Sequence, residues 1–133
     1  MAGKSNYLEL EVLKWATGQT NDLGTAASPD VALYVTAPAN DTDAGTECTG
    51  TGYARADSTG AWGAPTGSGP ATCANNAAVT FPTATAGDWG TIVAFGIFNG
   101  TDRLYWNTLT ASKIVAIDET ARFPAGDLSL TEG

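Results

Sequence analysis

Apolar residues recur along this chain mostly with the two-residue period of β-strands, and only once with the period of a helix. The helical stretch comes first. Leu8, Val12, Trp15 and Ala16 fall on one face at 3.6-residue spacing, which predicts a helix over residues 5–17. Ser5 is placed to cap it, Glu9 lies in the first turn where the helix dipole favours negative charge, and Gly18 is a natural stop. Leu10 and Leu13 widen the apolar surface beyond what one sheet can cover. The helix is therefore expected to dock on its own sheet or on a partner subunit, with Trp15 as a candidate contact.

The remaining pattern is strand-like. Val31–Thr36 reads as a strand closed by Pro38, and Trp89–Phe98 is nearly continuously apolar, as a central strand is. Asn99-Gly100 is a hairpin signal, extended by Thr101-Asp102, and Arg103–Leu109 returns as the partner. Lys113–Ile117, Thr120–Phe123 and Leu128–Leu130 are three further short strands. Between the first strand and the central one, Glu47–Asp57 and Thr72–Phe81 are expected to pair as the two arms of a hairpin. They flank a long Gly/Pro/Ser/Thr-rich excursion, residues 58–71 around Trp62, which is expected to be exposed. About eight or nine strands without a βαβ rhythm predict an all-β protein, an antiparallel sandwich or barrel with one N-terminal α-helix. The expected organisation is one domain over 1–133, with the β part spanning 31–131.

Composition narrows the function. Only 15% of residues are charged, against about 25% in soluble domains, as expected of a surface partly covered by neighbours or of an all-β secreted domain. The net charge of −8 with six basic residues argues against a nucleic-acid partner, because phosphate neutralisation needs Lys and Arg. No basic amphipathic stretch or long apolar run points to a membrane, and no secretory signal is evident, so synthesis in a host cytoplasm is expected. Cys48 and Cys73 sit on the two expected hairpin arms. Two free thiols are the default in a reducing cytosol, and a disulfide formed later is the alternative.

Catalytic chemistry finds little support. Histidine is absent, which removes Ser-His and Cys-His nucleophiles. Asp41 and Asp43 resemble the start of a calcium loop without its later ligands. Asp88, Asp118 and Glu119 form no motif that would make a glycosidase pair. No metal, no cofactor and no enzymatic activity are expected. Trp89 and Trp106 lie in apolar strands and read as core, whereas nothing local obliges Trp62 to be buried. Trp62, Tyr53 and Arg55 join Trp15 as interface candidates, being of types enriched at interfaces.

Several ordered segments carry a resemblance across nearly the whole chain. They include Ser5-Asn-Tyr-Leu-Glu9, Gly45-Thr-Glu47, Gly52-Tyr-Ala-Arg55, Asn76-Ala-Ala-Val-Thr-Phe-Pro82, Phe95-Gly-Ile-Phe98 and Leu109-Thr-Ala111. As a set they resemble a widespread family of small tailed-bacteriophage structural proteins, whose members are commonly labelled tail fibre proteins. Cys48 and the Cys73 arm depart from that pattern, so a cross-link is not implied by it. The resemblance implies a virion part. A compact acidic β module of this length is in turn similar to capsid cement (decoration) proteins. That analogy leads to the expectation of a protein on the outer surface of the head, partnered by the major capsid protein and by itself as a homotrimer or dimer. The alternative is a tail-tip or fibre-associated protein that presents Trp62 and its loop to host surface glycans.

Overall fold

The computed structural model describes residues 3–24, 26–67 and 71–132. It is an antiparallel β-sandwich carrying one short N-terminal helix, as expected, with ten strands among the described residues. The helix α1 (Asn6–Ala16) follows a two-residue strand β1 (Gly3–Lys4). Ser5 caps it, its Oγ accepting from the Leu8 N–H at 3.2 Å. At the other end Gln19 N–H donates to Lys14 C=O and Gly18 N–H to Trp15 C=O. Gly18 holds φ +74°, the left-handed conformation that this two-bond cap needs.

The main sheet runs β1-β8-β7-β2-β3, with β4 also on β2. Here β2 is Pro29–Thr36, β3 Thr46–Glu47, β4 Ala56–Asp57, β7 Gly90–Asn99 and β8 Asp102–Val115. The apolar run of β7 is central, between β2 and β8. Two ribbons form the second layer. β5 (Ala71–Ala74) pairs with β10 (Ser129–Glu132), and β6 (Val79–Thr83) pairs with β9 (Thr120–Phe123). The core lies between the layers, with Val31, Leu33, Phe95 and Ile97 from the sheet meeting Val79, Phe81, Phe123 and Leu128. Alternation sends Ala32, Tyr34, Ala94 and Phe98 to the sheet's other face. Trp89 and Trp106 are both buried.

Three expectations need correcting. The arms around residues 58–71 do not pair with each other. Glu47–Asp57 is not one strand but two short ones, both on β2, joined by a turn in which Tyr53 N–H donates to Gly50 C=O at 3.0 Å. That turn tucks under Trp89, and a Cβ on Gly50 would stand 2.2 Å from the indole. The second arm divides at Asn75–Asn76 into β5 and β6, each with its own partner. Secondly, Arg103–Leu109 and Lys113–Ile117 belong largely to one strand, β8. Its register with β7 breaks so that Val93 alone faces Leu109–Ser112, which makes one strand read as two. Thirdly, the excursion is not exposed throughout. Ser58 is buried, and Ala61 to Gly63 lie against the fold, while Ala64 to Gly67 are exposed and residues 68–70 lie outside those described.

Asn75 explains why the second arm breaks where it does. It is 2% exposed, and its Nδ2 donates to the carbonyls of Ala77, Phe123 and Pro124 at 2.9, 3.3 and 3.0 Å. Its Oδ1 accepts from Gly126 N–H and Leu128 N–H at 3.1 and 2.9 Å. One side chain thus satisfies the backbone of the Pro124–Leu128 turn and ties β5 to the end of β9. Asn75→Ala should destabilise the protein by about 3–4 kcal/mol, because several buried backbone groups lose their partners together. Chemical denaturation should show this loss, with little change for Asn76→Ala, whose residue is exposed.

Candidate interaction surface

The Gly-Tyr-Ala-Arg segment folds back onto the edge of the main sheet. Tyr53 lies against the core, edge-on to Trp89 at 5.4 Å and stacked with Phe81 at 6.4 Å between centroids. Its hydroxyl donates to Glu47 Oε2 at 2.6 Å and accepts from Leu33 N–H at 3.0 Å. Burial and the Glu47 carboxylate together push the phenol far above its ordinary value. Arg55 grips the same carboxylate with both ends of its fork, Nε to Oε2 at 2.9 Å and Nη2 to Oε1 at 2.8 Å. Its guanidinium lies 3.7 Å from the Phe98 ring centroid, and Nη1 reaches Gly100 C=O at 3.2 Å. Glu47, the residue that joins these two, carried no site signal in the sequence. Burial opposes ionisation of its carboxyl, but the bonds from Arg55 and Tyr53 outweigh it and hold the carboxyl below its ordinary value.

Trp62 is half-buried and packs against the main core. Its Nε1–H donates to Ser58 Oγ at 3.0 Å, and its backbone bridges to Asn75. The indole anchors its own loop. The cysteines stand in different layers, Cys48 beside Leu33 of the main sheet and Cys73 in β5, and both thiols are free.

Most of the outward-facing large apolar side chains lie on the helix, with Ile114 of β8, Ile117 and Leu23 exposed elsewhere. Only Leu8 and Glu11 of α1 are buried. Glu11 accepts from Asp22 N–H at 2.7 Å and from Lys14 Nζ at 2.5 Å, which holds the following loop to the helix. Trp15 shares the inward face by spacing but is 65% exposed, and Val12 and Ala16 are also exposed. The expected docking of Leu8, Val12, Trp15 and Ala16 as one buried face is therefore met by Leu8 alone. Leu10 and Leu13, on the opposite side, are 52% and 63% exposed. A helix apolar on both sides but covered on one presents its remaining surface to something else.

Two of the shallow clefts on the surface involve candidate residues. One, of about 380 Å³, has a mostly apolar lining of Pro65, Ala71, Cys73, Tyr105 and Leu130, with Glu132 at its rim. Glu132 there accepts from Tyr105 Oη and pairs with Lys4 Nζ. The other, of about 300 Å³, lies between Tyr7, Asp41–Ala44 and Thr101–Arg103. Asp41 and Asp43 do not gather with a third ligand, and no group of metal-ligating side chains occurs among the described residues. No described helix is long and apolar enough to cross a membrane.

Among known families, the one described as "Podophage GP4 fiber I protein gp80" has a model that matches residues 3–131 of this chain. No curated protein matches the sequence at a significant level.

Two measurements follow from this geometry. A carboxyl whose native pKa lies below its unfolded value of about 4.3 contributes stability above that pH and loses it as pH falls through the native value. Glu47→Gln should therefore lower stability at neutral pH and flatten the acid limb of the pH–stability curve below about pH 4. Parallel acid limbs for the two proteins would contradict the assignment. Thiol titration of unreduced, denatured protein should return two free thiols. In the native state Cys73 should react before Cys48, which is buried and whose thiol burial pushes up.

Proposed function

The chain belongs to the Gp80 family of podophage fibre proteins, and on that premise we propose that this phage structural protein is a component of the tail fibre. The observation that carries this reading is the family match, which spans the sandwich and its helix alike. The family's description favours the tail over the head surface and so weighs against the capsid-cement reading. Within the fibre the module works mechanically, by non-covalent contact between folded copies, with no bond made or broken and no cofactor.

The geometry is consistent with that role. The polar groups that could have made a reactive site are engaged internally: Tyr53 and Arg55 on Glu47, Asn75 on the backbone, Trp62 on Ser58. What faces outward is the apolar surface of α1, a few isolated apolar side chains such as Ile114, and a skin poor in charge. Trp62 is half-buried against the core and held by its own loop, so the fibre reading rests on assembly rather than on glycan capture.

Antibody raised against the folded chain should label the tail region of intact particles, seen by immunogold staining or as density assigned by cryo-EM. Uniform label over the head, or no label on assembled particles, would overturn the proposal.

A further inference from the structure

The outward face of α1 has a spacing that identifies its partner. Leu10 and Leu13 form an i, i+3 apolar stripe, bounded by Asn6 and Thr17 at the ends. Leu8 and Glu11, the two buried residues of the helix, lie diametrically across from that stripe against the fold. With Leu10 and Leu13 taken as the a and d positions of a heptad, Glu9 falls at g and Lys14 at e. The stripe is thus flanked by an acid on one side and a base on the other, five residues apart. In a parallel pair of helices, that offset brings g of one chain beside e of the next.

We propose that the Leu10–Leu13 face of α1 packs in parallel against the same face of a second copy of this chain, with Glu9 of each paired to Lys14 of the other. Three observations select a copy over an unrelated protein. The stripe complements itself, because the same helix carries both halves of the flanking ion pair. Glu9 has no salt-bridge partner among the described residues, and Lys14, 44% exposed, keeps ammonium protons free beyond its bond to Glu11. The rest of each copy carries a large negative excess, so two copies approach with least repulsion where the surface is apolar and locally balanced. Parallel packing places the copies around a rotation axis along the helices, a closed symmetry that leaves the sandwiches radiating outward. A single heptad buries less than a standard interface, so isolated chains should associate weakly and reversibly, with multiplicity reinforcing the contact in the particle.

Sedimentation velocity over a concentration series, using the full chain, tests this. The native protein should shift reversibly from monomer to oligomer. Leu10→Gln/Leu13→Gln should remain monomeric with an unchanged circular dichroism spectrum and melting temperature, since neither side chain packs on the fold. Glu9→Lys and Lys14→Glu should each weaken association at least severalfold. The two single variants mixed together should associate with each other, and the double charge swap should recover self-association. A native chain that stays monomeric at its highest soluble concentration would overturn the inference. So would association that survives the leucine changes, or charge variants that fail to rescue one another. The inference rests on the fibre proposal only for the expectation of several copies. A monomeric chain that still labels the tail would sink this contact and leave that proposal standing.

Discussion

The second layer of this sandwich depends on the hydrogen bonds of one buried amide. Its ribbons, β5–β10 and β6–β9, have only four or five residues per strand, too few to hold a position by ladder bonds alone. Asn75 leaves β5, turns the chain toward β6, and reaches across to the Pro124–Leu128 turn between β9 and β10. All four strands of the layer therefore share one fixed point. Asparagine suits it because the site needs two acceptor positions and two donors within one flat group, which neither aspartate nor a hydroxyl supplies.

A second constraint shapes the electrostatics. Of the six basic residues, Lys4, Lys14 and Arg55 pair with carboxylates. Arg103 donates to loop carbonyls and lies over Trp106, and Lys113 donates to Arg122 C=O and lies over Phe123. Most of the positive charge is thus engaged within the fold, and only the exposed Arg122 stands outside these contacts among the described residues. The unpaired charges left on the surface are overwhelmingly acidic, so the field around each copy is set by carboxylates.

Much of the fold was legible in the sequence because its signals are local. The Ser5 cap and Gly18 stop set the helix ends, and the apolar run of β7 declared a strand buried on both faces. What stayed hidden is non-local. Nothing near Thr72–Phe81 announces that its two halves pair with β10 and β9, since those partners lie some fifty residues away in sequence and are selected by Asn75. Glu47 looks like any exposed strand residue until Tyr53 and Arg55 arrive from a loop that doubles back under Trp89. Tyr53 and Arg55 were legible as residues with work to do, but residue type alone does not tell an internal clasp from an external contact. The surplus apolar surface of α1 was visible as a count of leucines, but how much of it the fold covers shows only in the three-dimensional packing.

The clasp formed by Lys4, Tyr105 and Glu132 brings the first and last strands side by side. Both flanks of the described chain therefore emerge at a single corner of the molecule. Whatever polypeptide is joined there, before or after, would meet the sandwich at the same spot, and the module would hang from it like a bead on a two-ply stem. Such an arrangement tolerates grafting into a loop of an unrelated scaffold, or re-linking the ends and opening the chain elsewhere, without disturbing the layers.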